Sequence, residues 1–337
     1  MDAYINENAS GPRQYSPEWY AIRDCVGGSE IYDIMHKQSL ADCAAFIRRK
    51  VGAQSSGGSV AMGWGSVFEE VLCEMIEIYL DVRVVHRSRC FLAGGIRYSP
   101  DGFINFDGTD LLLEMKNPFS RIPDGTVDTK YEAQMQCGLK VIPCVDHALY
   151  VDGLFRRWNP ATETITPLLR QPPPPAGCRE PLYAGYLGFY ARSAEYEFRA
   201  LHTPIDFGDK TNDPVLCRIL VNVREACATT HSGRDSRPAQ SPDDLMPTIR
   251  DDDSGRELPL IGYMPWALYD MHMVDVYRNP NFFHPGTFKL IGDITKAIRE
   301  IASEPNPGQR DALLATLAEK KRVRRALSYS EIESGFI

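Results

Sequence analysis

Three residues in "YSPDGFINFDGTDLLLEMK" have the types and spacing to build a cation site: Asp101, Glu114 and Lys116. Asp107-Gly108 lies between two apolar runs, a strong short-range hairpin signal. About that turn Phe106 faces Thr109, Ile104 faces Leu111, and Asp101 faces Glu114. Directly opposed residues hold their Cβ atoms roughly 4.5–5.5 Å apart. Two carboxylates at that separation repel unless positive charge lies between them, and a divalent cation with oxygen ligands supplies it. Side chains alternate along a strand, so Lys116 shares the face of Glu114 while Leu111 and Leu113 point into packing. The competing reading is a charged hairpin end that meets solvent.

Two helices must bring further groups to that face. "WGSVFEEVLCEMIEIYLDV", residues 64 to 82, has helical periodicity, with Val67, Phe68, Val71, Leu72, Met75, Ile76 and Tyr79 along one arc. Glu70, Glu74 and Glu77 cluster on the solvated side. Glu69 falls at about 200° on the helical wheel, at the margin of the apolar face, apart from its fellow acids. A carboxylate there needs a partner, either a salt bridge or a metal or its bound water. In "YEAQMQCGLKVI", Tyr131, Met135, Leu139 and Ile142 share a face, and Gln134 lies close to it.

The elements behind these groups predict an α/β (α+β) fold with a central mixed sheet flanked by helices. Residues 17 to 50 and 64 to 82 read as helical, 90 to 116 as strands, 129 to 142 as a helix, and "HALYVDG" as a strand. The expected organisation is a core over residues 1–160 and a C-terminal, largely helical extension over 161–337, with helices near 262–278 and 286–328. "RQPPPPAG" reads as a stiff polyproline connection. Residues 228–257, rich in Pro, Gly and Asp, read as a mobile loop. "EKKRVRRAL" ends the last helix with Lys320 to Arg325; it is either a solvated helix terminus or a phosphate-contacting patch. "GYMPWALYDMHMVDVYRNP" reads as a core helix, with DNA or partner contact as the alternative, and Trp19 as a core residue, with a base-stacking platform as the alternative.

Composition narrows the classes. The 337 residues, 43% apolar, suffice for a sizeable core. No apolar run approaches the roughly 18 residues of a membrane span, and the polar start lacks a signal-peptide core. Nine cysteines without a CxxC pair predict reduced thiols in an intracellular compartment, and neither a zinc nor an iron–sulfur site. The net charge of −8 argues against a protein that coats nucleic acid without specificity. It leaves room for an enzyme with local basic groups and carboxylates at a metal.

The order Glu on a helix, Asp, Glu-x-Lys on a hairpin and Gln on a helix resembles the PD-(D/E)XK nuclease superfamily. Within it the chain resembles the lambda-exonuclease-like branch of YqaJ-type viral recombinase nucleases. The matching words are "WYAIRDCVGGSE", "GSVFE", "SPDG", "LEMKNPFSR" and "YEAQMQ", spread over about residues 16 to 152. The resemblance implies a restriction-endonuclease-like core and a metal-dependent DNase that digests duplex DNA from an end, 5′ to 3′, in viral or phage-type recombination or genome processing. It implies that Asp101 and Glu114 bind Mg²⁺, with Mn²⁺ as substitute and the Met115 carbonyl as a further ligand. Lys116 then orients or activates the attacking water, Glu69 serves a second metal or its water, and Gln134 positions the site. Arg23, Ser29 and Ser99 match residues that hold a 5′-terminal phosphate, and Arg121 matches a basic residue just after the active strand.

The partners so implied are double-stranded DNA ends and a single-strand annealing protein. A homo-oligomer is allowed, no membrane is involved, and the host cytoplasm or nucleus is the compartment if the source is viral. The long C-terminal region resembles the longer versions in large DNA viruses and keeps mixed exo- and endonuclease activity open. Two alternatives stand beside the leading reading: a structure-specific endonuclease of the same superfamily, and a non-catalytic DNA-end-binding recombination scaffold.

Overall fold

A computed structural model describes residues 1–14, 16–22, 24–52, 60–157, 182–190, 215–221, 248–250 and 255–319. In chain order they form helices α1 (Asp2–Asn8) and α2 (Pro17–Ala21), strand β1 (Val26–Gly27), and helices α3 (Tyr32–Met35), α4 (Ala44–Val51) and α5 (Val60–Leu80). Strands β2 (Phe91–Ala93), β3 (Ile96–Tyr98), β4 (Gly102–Phe106) and β5 (Thr109–Lys116), helix α6 (Thr129–Val141) and strand β6 (His147–Arg157) follow. Then come β7 (Tyr183–Tyr190), β8 (Val215–Val221), β9 (Ile249–Arg250), β10 (Glu257–Leu258), β11 (Leu260–Tyr277), α7 (Thr287–Ser303) and α8 (307–319).

Asp107 and Gly108 both adopt positive φ, 50° and 78°. That two-residue turn matches the twist of a hairpin, so β4 and β5 pair as Phe106↔Thr109 through Gly102↔Leu113. The expected register holds. β5 and β6 run parallel with α6 as their crossover. Among the described residues the main sheet has the order β4-β5-β6-β11-β7-β8, and it is mixed.

Helices cover both faces of this sheet. Trp64, Phe68, Leu72 and Ile76 of α5 share a buried cluster with Leu111, Leu113, Met115, Val151 and Phe155. Their spacing of four residues sets them along one helix face, and Phe68 stacks on Phe155 with centroids 4.5 Å apart. On the other face Phe103, Leu112, Ala148 and Tyr150 meet Met135 and Leu139 of α6 and Ile291, Ile294 and Ile298 of α7. The fold is therefore mixed α/β, a central mixed sheet flanked by helices.

Three expectations change. Residues 262–278 are not a helix: β11 crosses the sheet and pairs with both β6 and β7. Its aromatic and β-branched residues suit a strand. Pro265 lies opposite Tyr186 in the β7 ladder, where the strand is paired on one side only because pairing with β6 begins at Trp266; inside a helix it would break a hydrogen bond. The division at residue 160 therefore runs through the sheet, and the helical part of the C-terminal region is α7 and α8. Residues 17 to 50 are broken rather than continuously helical, because Val26–Gly27 pairs with Ile96–Arg97 and Glu30 Oε2 accepts the Gly27 N–H at 2.7 Å. The polyproline stretch, Lys320 to Arg325 and most of 228–257 lie outside the described residues; Ile249–Arg250, within that last span, pairs with Glu257–Leu258.

Tyr98 locks the layers around the future site. Its ring is fully buried, and it fits because Gly28 and Gly138 lack side chains. A Cβ at Gly28 would lie 2.4 Å from Tyr98 Cδ2, and one at Gly138 would lie 2.3 Å from Tyr98 Cζ. Alanine in a helix normally gains up to about 1 kcal/mol over glycine. Gly138→Ala is expected to lose roughly 1–3 kcal/mol instead, because it forces an overpacked ring to move. Urea denaturation measures the sign directly.

Candidate active site

The β4–β5 register carries Asp101, one step beyond Gly102↔Leu113, to the side of Glu114. Asp101 Oδ2 accepts the Met115 N–H at 2.6 Å, which fixes the carboxylate against the strand. Glu114 is fully buried. Its Oε1 accepts from Lys116 Nζ, and the buried Tyr98 hydroxyl adjoins the same carboxylate and lowers its pKa. Lys116 Nζ also lies 3.2 Å from the Met115 carbonyl and 5.1 Å from the centroid of Tyr131, a cation–π contact.

The electrostatics are those of a site short of positive charge. Burial, then the neighbouring Asp101 charge, pushes Glu114 up to about 7 against the pull of Lys116. Burial and Asp101 push Glu69 up to about 8, with Arg87 and Lys116 opposing. Asp101 is raised by burial, against Lys116 and the Met115 N–H. Burial works against the Lys116 ammonium, yet Glu114 and Asp101 hold its pKa well above the ordinary lysine value. Arg87 is pinned by two bonds to Glu70, 2.6 and 2.5 Å, and reaches Glu69 at 3.7 Å.

These groups line one cavity of about 660 Å³. Glu69 enters from α5, Gln134 from α6, Asp101, Glu114, Met115 and Lys116 from the hairpin, and Ser29 and Ser99 from the β1–β3 side. All of those expected residues share the space. Arg121 does not line it. Its Nη2 is bound to the buried Asp152 at 2.5 Å and lies 3.5 Å from Tyr150 Oη. Asp152 flanks Lys116 in the parallel ladder. Arg121→Ala is expected to lose about 3 kcal/mol of stability, because it strands a buried carboxylate; a urea midpoint measures this. Arg23 lies outside the described residues.

Trp19, read as core, is half-buried in the cavity wall, where its Nε1 donates to Ser99 Oγ at 3.1 Å. Sequence reasoning missed Arg97 and Tyr98, which also line the cavity. Arg97 and Ser99 are two residues apart in an extended run, which puts them on one side of the strand. That period was a readable signal.

The oxygen donors fit a hard divalent cation. Among the described residues no three His, Cys, Asp or Glu side chains form a ready cluster. Asp101 and Glu114 are a pair, and the third expected oxygen is the main-chain carbonyl of Met115. Two carboxylates, Asp101 and the buried Glu114, stand side by side with Lys116 as their close cation, an arrangement that a divalent cation suits.

Residues 18–151 match the family model described as the YqaJ-like viral recombinase domain. The chain is similar to protein D345L of African swine fever virus (strain Badajoz 1971 Vero-adapted), 23% identical over 344 residues, spanning 91% of this chain and 92% of that protein. It is similarly related to D345L of the isolate Tick/South Africa/Pretoriuskop Pr4/1996, 23% identical over 352 residues with the same two coverages, 91% and 92%. A phage-related exonuclease from Haemophilus somnus 129PT aligns with 11% identity and a TM-score of 0.42, over 81% of this chain and 92% of that one. Among the described residues no helix is long and apolar enough to cross a membrane.

Proposed function

From the premise that residues 18–151 are a YqaJ-like viral recombinase domain, we propose that this protein is a Mg²⁺-dependent deoxyribonuclease. It hydrolyses linear duplex DNA from an end, 5′ to 3′, in viral recombination or genome processing. The observation that carries the reading is the pair of carboxylates, buried Glu114 beside Asp101, with Lys116 at one oxygen of Glu114 and the Glu114 carboxyl pushed up to about 7.

Asp101, Glu114 and the Met115 carbonyl would hold Mg²⁺, or Mn²⁺ in its place. Its chemistry there is charge neutralisation at the phosphate and a lowered pKa for water. The protein's own groups do the rest. Lys116 stays protonated and brings positive charge to the phosphate as negative charge builds on it. Glu69, with its pKa near 8, is matched to accepting and returning a proton close to neutrality. Gln134 offers an amide that donates and accepts at the cavity wall. Ser29 and Ser99 offer hydroxyls to a terminal phosphate, a contact that positions an end without reading bases. An annealing protein is the proposed partner for the single strand that such digestion leaves.

The test compares linear and covalently closed duplexes in Mg²⁺, with 5′-phosphate and 5′-hydroxyl ends. Digestion of linear DNA only, faster from 5′-phosphate, is the expected result. Cutting of closed circles would replace the exonuclease with an endonuclease. Duplex binding without any digestion would leave a scaffold.

A further inference from the structure

We infer that Arg97 is an anion-binding residue that takes a phosphate of the bound strand in the Trp19–Ser99 wall of the cavity. The identity of the anion rests on the nuclease reading; the anion site itself rests on the guanidinium. Arg97 Nη1 donates to the Trp19 carbonyl at 2.6 Å and to the Ile22 carbonyl at 2.9 Å. The guanidinium carbon stands 4.0 Å from the Trp19 ring centroid, a cation–π contact that holds the group against the indole as well. A guanidinium has five N–H donors. The two on Nη1 are used, and the Nε–Nη2 edge has no acceptor among the described residues.

The surrounding acids are committed elsewhere. Glu30 is held by Lys50 at 2.6 Å and by the Gly27 N–H at 2.7 Å, and Asp24 is paired with Arg299. Asp101 and Glu114 sit with Lys116. Other arginines of the same region end on carboxylates: Arg87 on Glu70, Arg121 on Asp152 and Arg49 on Asp33. Arg97 instead spends Nη1 on main-chain carbonyls and lines the cavity. The Nε–Nη2 edge is the fork that matches two phosphate oxygens. Ser99 Oγ, held by Trp19 Nε1, stands in the same wall and adds a neutral hydroxyl.

Fluorescence anisotropy in EDTA tests this with short duplexes, 3′-labelled and carrying either 5′-phosphate or 5′-hydroxyl, across a salt series. Arg97→Gln is expected to weaken binding roughly ten- to a hundredfold and to reduce the salt slope by about one. Arg97→Lys keeps the slope and loses affinity, because an ammonium lacks the fork. A loss confined to the 5′-phosphorylated duplex identifies a terminal phosphate; an equal loss on both identifies an internal one. Wild-type affinity in Arg97→Gln overturns the inference. So does an equal loss in both variants with an unchanged slope and a lowered melting temperature, which marks a purely structural role. Digestion assayed in parallel separates the two readings. Arg97-dependent binding without digestion sinks the nuclease alone, and digestion indifferent to Arg97 sinks the phosphate site alone.

Discussion

Lys116→Met lowers turnover on linear duplex DNA by roughly a hundred- to ten-thousandfold while duplex binding is retained. The side chain is held by Glu114 Oε1, the Met115 carbonyl and the Tyr131 ring, so its ammonium is fixed beside both carboxylates before any substrate arrives. Methionine preserves most of the packing and removes the charge. Arginine restores charge without the compact ammonium, and it is expected to rescue little. Single-turnover kinetics with excess enzyme isolate the chemical step from binding. An unchanged rate in Lys116→Met would remove this residue from the reaction.

The second large effect is on stability. Glu114 and Glu69 have folded pKa values of about 7 and about 8 against an ordinary 4.5. The folded chain therefore binds more protons than the unfolded chain between those values. Stability falls as pH rises through that window, and the penalty is absent below about 4.5 and complete above about 8. For Glu114 alone the difference, about 2.5 pH units, corresponds to on the order of 3 kcal/mol. A divalent cation held by the deprotonated pair offsets the penalty, so Mg²⁺ raises the melting temperature more at pH 8 than at pH 5.5. Glu114→Gln combined with Asp101→Asn is expected to abolish the Mg²⁺ effect and to leave only the Glu69 part of the pH dependence, which burial sustains. A metal-free melting temperature that climbs from pH 5.5 to pH 8 would contradict this reading.

The heart of the site was legible because its signals are local. The Asp107-Gly108 turn fixes the register, and the register alone carries Asp101 to Glu114. The helical angle separates Glu69 from Glu70 and Glu74, and the cavity receives Glu69. What was not legible depends on contacts far apart in the chain. β11 reads as an apolar, methionine-rich helix until β6 and β7 are set on either side of it. Arg121 resembles a free cation until the β5–β6 ladder brings Asp152 beneath it. Tyr98 gains meaning only from the two glycines, on different elements, that make room for its ring. The resemblance located the chemistry, but it carried no information about Arg97, whose anchoring on the Trp19 and Ile22 carbonyls depends on contacts 78 and 75 residues apart.

The most direct test of the central claim follows nucleotide release from a linear 5′-phosphorylated duplex, by wild type and by Glu114→Gln, in Mg²⁺ and in EDTA. Release by the wild type in Mg²⁺, and by neither protein in EDTA, is the result predicted, with Glu114→Gln reduced at least about a hundredfold. Equal release by the two proteins, or release that persists in EDTA, would contradict a cation shared by Asp101 and Glu114.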